Sequence, residues 1–85
     1  KSLNFSFLSN LNNDSIFTLH ALLLHDTLNS TEHALVFHQA EVSSRRILMV
    51  LEDHGLLKCE NERYSINRLL YRQVVNMLSN KNIIH

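Results

Sequence analysis

The chain has 85 residues, 45% hydrophobic and 19% charged, and its eight Lys and Arg residues balance eight Asp and Glu residues. Domains commonly contain about 100–150 residues, so this length predicts one small domain. A neutral chain is atypical of proteins that bind nucleic acid through bulk positive charge. With no proline and one glycine, Gly55, the composition excludes collagen-like and glycine-loop phosphate-binding classes.

The cysteine content and the length of the hydrophobic runs indicate the cellular compartment of the protein. A single cysteine, Cys59, excludes an internal disulfide and favours a reducing environment. The longest purely apolar run, Ala21–Leu24, is far shorter than the roughly 20 residues of a transmembrane helix. No stretch has the layout of a signal peptide. We therefore expect a cytoplasmic protein without membrane contact. The start at Lys1 leaves two interpretations, a complete domain or a domain cut from a longer protein.

The N-terminal residues alternate between apolar and polar side chains, with Leu3, Phe5 and Phe7 on one side. A period of two predicts a β-strand, which needs a partner. We interpret residues 1–13 as an N-terminal extension with a candidate pairing strand, and residues 14–85 as the main domain.

Apolar residues at helical spacing predict the first two helices. The first helix is expected to have its N-cap among residues 13–15 and to run to about Thr27. A polar break at residues 29–31 then precedes a second helix over Thr31–Gln39.

The third helix is predicted to have Ser43 or Ser44 as its N-cap and to end at His54. Gly55 follows where a left-handed residue commonly ends a helix. The apolar stripe of this helix consists of Ile47, Leu48 and Leu51.

After Gly55 the period of the apolar residues changes from 3.6 to 2. Leu57–Glu60 and Tyr64–Asn67 are predicted to form a hairpin around the pair Asn61-Glu62. A last helix is predicted over Arg68–Asn80.

This order of elements resembles the winged helix-turn-helix superfamily. The resemblance is carried by Leu48-x-x-Leu51-x-x-x-Gly55-Leu56-Leu57, which looks like the end of a recognition helix and its entry into the wing. It covers about residues 14–80. The resemblance implies an α+β, mostly α fold with a three-helix core, a β-hairpin wing and a C-terminal helix.

The resemblance also implies a nucleic-acid interface on the third helix. In DNA-binding members this helix enters the major groove, where Arg45 and Arg46 would reach phosphate or guanine. Arg63, in the return strand, would touch the DNA backbone or minor groove. The candidate nucleic-acid-binding residues are Ser43, Ser44, Arg45, Arg46, Met49 and Arg63. The expected partner is double-stranded DNA and the expected role is transcription regulation, although a merely solvated face also explains Arg45 and Arg46.

Charge is unevenly distributed along the chain. Residues 1–44 carry a net charge of −3 and residues 45–85 a net charge of +3. From Arg63 onward there are four basic residues and no acidic one. The hairpin tip, Glu60-Asn61-Glu62, would repel phosphate. The distribution therefore permits local DNA binding of modest affinity.

The alternative interpretation is a winged helix used for protein interaction or regulation in a larger protein such as an ATPase, with little or no DNA binding. The segment Tyr64–Val75 is loosely similar to the wing-to-helix segment of winged helices in large ATPases. The last helix is apolar on more than one face, which favours a homodimer or docking to another domain. The candidate association residues are Leu69, Tyr71 and Val75.

Metal and catalytic sites have little support. The histidine pairs His20/His25 and His33/His38 are each five residues apart, whereas zinc ligands on one helix are spaced by three or four. A site between His25 and His38 stays a minor alternative. No nucleophile elbow or glycine-rich loop is present. We expect no enzyme activity, no metal, no cofactor and no small-molecule substrate, and we interpret Cys59 as a small core residue.

Overall fold

The computed structural model describes residues 11–81. Within this range the elements are α1 (Asn13–His25), α2 (Ser30–Phe37), α3 (Glu41–Asp53), β1 (Leu57–Glu60), β2 (Arg63–Ile66) and α4 (Tyr71–Asn80). A short 3-10 turn, Arg68–Leu70, leads into α4. The two strands form one antiparallel hairpin. The predicted α+β, mostly helical class is therefore confirmed. No helix in residues 11–81 is long and apolar enough to cross a membrane.

Asparagine side chains set the start of the first two helices. The Oδ1 atom of Asn12 accepts from the N–H of Ser15 at 2.9 Å, so the N-cap of α1 precedes the predicted residues 13–15. Asn29 and Glu32 form a reciprocal capping box at the start of α2. The predicted start of this helix, Thr31, is therefore one residue late. Leu11 already packs against the core, whereas the predicted strand lies outside the described residues.

Backbone conformation ends both helices earlier than predicted. Asp26 has φ 65° and ends α1 at His25, short of Thr27. His38 is left-handed with φ 54° and ψ 50°, and ends α2 at Phe37. A polar residue in the left-handed region stops a helix as a glycine does, although less commonly.

The N-cap of helix α3 lies three or four residues before the predicted Ser43 or Ser44. This N-cap is Ala40, which has an extended backbone and no side-chain cap. The N–H groups of Ser43 and Ser44 both donate to the carbonyl of Ala40, at 3.1 and 3.2 Å. A serine pair is a typical cap sequence, but here both serines lie inside the helix. The early start determines which α3 side chains face the core.

The core lies between α1, α3 and α4 and is closed by the hairpin. Five apolar side chains from the three helices are fully buried: Leu19, Leu48, Leu51, Val74 and Leu78. Leu57 and Ile66 face each other across the hairpin and extend this core. Burial of these apolar side chains stabilises the fold by about 25 cal/mol per Å² of apolar surface.

The hairpin is attached to the connection between α1 and α2. Asn61 and Glu62, with φ 52° and 65°, form the turn, and two positive φ values match the twist of a two-residue hairpin loop. Leu28 and Tyr64 exchange two backbone hydrogen bonds, of 3.0 and 2.8 Å. The hairpin therefore has a fixed orientation relative to the helices.

Gly55 turns the chain from α3 into β1. Its φ of 82° lies in the left-handed region, and its carbonyl accepts from Nδ2 of Asn67 at 2.9 Å. A Cβ atom at this position would meet no heavy atom within 4 Å. The glycine is therefore needed for its backbone conformation and not for space.

We expect Gly55→Ala to lower the free energy of unfolding by about 1–2 kcal/mol, the cost of a left-handed alanine. Urea denaturation followed by circular dichroism measures this change. Asn76→Ala, at an exposed position of α4, is the matched control and should be neutral or slightly stabilising. Equal stability of Gly55→Ala and the wild type would contradict the role assigned to the glycine.

Candidate nucleic-acid interface

Helix α3 presents most of its surface to solvent. Nine of its thirteen residues are exposed. Among the predicted interface residues, Ser43, Arg45, Arg46 and Met49 lie on this exposed surface. Leu48 and Leu51 hold the opposite face in the core with no exposed area. The structure thus brings four of the six predicted residues together on one helix.

Ser44 does not belong to this surface, and its predicted outward position is wrong. Its side chain is completely buried. Because α3 starts at Glu41, Ser44 lies on the same face as Leu48 and Leu51, four and seven residues later. Its hydroxyl contacts Nδ1 of His33 at 2.6 Å and accepts from Nε2 of Gln39 at 2.8 Å.

A buried chain of hydrogen bonds centres on His33. The Thr18 hydroxyl donates to the carbonyl of Asp14 at 2.7 Å, so its oxygen accepts from Nε2–H of His33 at 2.8 Å. Nδ1 of His33 then accepts from the hydroxyl of Ser44. With Nε2 as the donor, a neutral imidazole leaves Nδ1 to accept from the Ser44 hydroxyl. Burial accordingly lowers the pKa of His33, while the charge of Asp14 acts in the opposite direction.

This buried histidine was missed at the sequence level. The available signal was the position of its partners. Thr18 lies four residues before Leu22, and Ser44 lies four residues before Leu48, so both hydroxyls occupy core positions of their helices. Small polar residues at such positions need buried partners, and His33 provides them.

Of the three predicted arginines, Arg45 and Arg63 form ion pairs and Arg46 does not. Arg45 contacts Glu41 at 3.1 Å along α3, and both side chains are about half exposed. Arg46, one position further, makes no hydrogen bond or ion pair with residues 11–81. With two arginines against three acidic residues, α3 has a net charge of −1.

Arg63 holds the hairpin against the helices. Its guanidinium contacts Oε1 of Glu32 at 2.8 Å and donates to Oγ1 of Thr27 at 2.9 Å. The pKa of Glu32 is lowered, first by the N–H of Asn29 in the capping box and then by Arg63. The predicted DNA contact therefore has a structural role, and its charge is partly neutralised within the fold.

The predicted association residues differ in exposure. Leu69 is 76% exposed and Tyr71 is 49% exposed. Val75 on α4 is less exposed than either and is half-buried. Leu69 and Tyr71 line a groove between the hairpin and the end of α1. Helix α3 also exposes apolar side chains, namely Val42, Met49 and Val50.

Metal-ligating residues do not cluster. Among residues 11–81 there is no group of three His, Cys, Asp or Glu side chains that could hold a metal ion. Cys59 lies in β1 opposite Tyr64 and is half-buried. This thiol is at the edge of the core, not fully within it.

Comparison with protein-family models, with curated proteins and with solved structures found no significant match to this chain.

The buried histidine predicts a pH dependence of stability. Because the folded state lowers the pKa of His33, the unfolded chain binds a proton near pH 6.5 that the native state excludes. The free energy of unfolding should therefore fall as the pH decreases from 7.5 to 5.5. The pKa values of Glu32 and Glu41 are also lowered, but these groups act below about pH 4.5.

Urea denaturation at both pH values tests this expectation in the wild type, in His33→Gln and in His38→Asn. His33→Gln should be less stable at pH 7.5 and should lose most of the pH dependence. His38 is exposed and left-handed, and asparagine tolerates that conformation, so His38→Asn should keep the wild-type dependence. The same dependence in His33→Gln and the wild type would refute the role of His33.

Proposed function

We propose that this chain is a winged-helix domain that binds double-stranded DNA through α3 and acts in transcription regulation. The observation that carries the proposal is the presentation of α3, with nine exposed residues on a helix whose other face is fixed in the core. The element order, three helices followed by a hairpin, supports the winged-helix assignment. The bridge between Leu28 and Tyr64 holds that hairpin at a fixed orientation, as a wing requires.

Arg46 is the principal contact of the proposed interface. Arg46 is exposed and forms no hydrogen bond or ion pair with the described residues, so it can form a fork with guanine or a phosphate without losing an internal bond. Arg45 can join it, because an exposed i,i+4 pair contributes only about 0.3–0.5 kcal/mol. Ser43 can donate to phosphate, and Met49 supplies apolar contact.

The affinity is expected to be modest. The net charge of −1 on α3 weakens its attraction for phosphate. The hairpin turn adds the exposed carboxylates of Glu60 and Glu62. The interface would therefore act in a dimer or in a longer protein. A cytoplasmic location fits this function and stays a prediction from the sequence.

Fluorescence anisotropy with a labelled duplex of random sequence at low salt tests the proposal. Arg46→Ala should weaken binding by about 1–3 kcal/mol if the guanidinium reads a base. Arg45→Ala/Arg46→Ala should weaken it further. Lys81→Ala removes one positive charge at the end of α4 and is the matched control. It should change the affinity little.

Two outcomes count against the proposal. Absence of duplex binding by the wild type at low salt would reject DNA binding altogether. Unaltered binding by Arg45→Ala/Arg46→Ala would reject α3 as the interface.

Protein docking is the second candidate function. It is favoured by Val42, Met49 and Val50, which are 62%, 47% and 44% exposed on α3. Apolar side chains beside an overall acidic charge suit a protein partner better than a phosphate backbone. The partner would be a second copy of the chain or another domain of a larger protein such as an ATPase.

Light scattering over a range of concentrations tests self-association. We expect a concentration-dependent mass in the wild type that Met49→Lys abolishes, with Lys81→Ala unchanged. A constant monomer mass for the wild type would exclude a second copy as the partner.

A further inference from the structure

Positive charge that is available to a partner is concentrated beside the hairpin and not on α3. Among the four basic residues of the acid-free segment 63–81, Arg63 is engaged with Glu32. Arg68 and Arg72 are exposed and form no ion pair with the described residues. On α3, in contrast, three acidic residues outnumber two arginines.

Three exposed basic residues lie on the hairpin and at the start of α4, and we call Lys58, Arg68 and Arg72 the basic patch. Lys58 on β1 and Arg68 in the 3-10 turn line the same groove. Arg72 follows Arg68 by about one helical turn, in the first turn of α4. The backbone thus holds the three cations around the junction of the hairpin and α4.

The basic patch is unfavourable for the isolated domain. Like charges four residues apart in a helical segment repel each other. Cations in the first turn of a helix are also disfavoured by the helix dipole. Asn67 lies between the hairpin and the arginines but does not offset this repulsion. Its side chain already bonds to the carbonyl of Gly55 and to the N–H of Leu69. An anionic partner would remove the repulsion.

We propose that the basic patch binds the phosphate backbone of duplex DNA and is the main electrostatic anchor of the domain. This inference rests on the proposed function of DNA binding and adds phosphate contacts on the hairpin and α4 to those proposed for α3. Guanidinium groups form forks with phosphate oxygens. Arg68 in the 3-10 turn and Arg72 in α4 are both exposed at the start of α4, where their long side chains can reach phosphates of one strand.

Two acidic side chains limit the contact area. Asp26 and Glu60 line the same groove as Lys58 and Arg68. Their charges repel phosphate from the floor of the groove, so the backbone must lie along the rim formed by the arginines. Removal of one carboxylate should therefore strengthen binding.

The salt dependence of duplex binding tests the basic patch. Anisotropy titrations at several salt concentrations give the slope of log affinity against log salt concentration. Arg68→Gln/Arg72→Gln should reduce this slope by about 2 and weaken binding at least about tenfold at 0.1 M salt. Lys81→Gln, outside the patch, should change this slope by less than about 1. Glu60→Gln should tighten binding.

The outcomes separate the inference from the proposed function. If the wild type binds duplex and the double arginine variant keeps its affinity and slope, the patch is not the anchor, although DNA binding stands. If the wild type binds no duplex, both fail. Poly-glutamate that competes as well as unlabelled duplex of equal charge would show an acidic protein partner and overturn the nucleic-acid assignment. Thermal unfolding of the double variant should be unchanged or improved, which excludes misfolding.

Discussion

The buried hydrogen-bond chain through His33 determines how α1, α2 and α3 meet. It joins Thr18 on α1, His33 on α2 and Ser44 on α3 through contacts of 2.8 and 2.6 Å. A buried polar atom without a partner costs about 1–3 kcal/mol, so rotation of any of these helices would leave at least one such atom. The orientation of α3 follows from this constraint. The exposure of Arg45, Arg46 and Met49 is therefore a consequence of a contact on the opposite side of the helix.

Most elements could be predicted from the sequence, because helical and strand periodicity are local, whereas the N-caps of α1 and α3 were misplaced. The strand Leu57–Glu60 and the turn at Asn61-Glu62 follow from the alternation of apolar and polar residues. The role of Gly55 follows from its being a glycine. Ser44 could not be placed correctly, since a serine pair before an apolar stripe is also a typical N-cap. Only contacts with residues eleven positions away distinguish the two cases.

Candidate site residues were harder to predict than elements, because a charged residue in the sequence is not an available charge in the fold. Arg63 was expected at the surface of a wing, yet it is engaged with Glu32 on another element. That contact joins positions 31 residues apart, and no local pattern indicates it. Arg46 could be identified, since it has no acidic residue three or four positions away on α3. Long-range ion pairs thus decide which arginines remain for a partner.

The attachment of the hairpin to the α1–α2 connection also constrains how the chain folds. The bonds of Arg63 to Thr27 and of Tyr64 to Leu28 close a loop over 36 positions that contains α2, α3 and β1. Helix contacts within this loop are local and form early, whereas closure must overcome the entropy of the whole loop. Docking of the hairpin therefore carries the larger loop-closure cost of the fold.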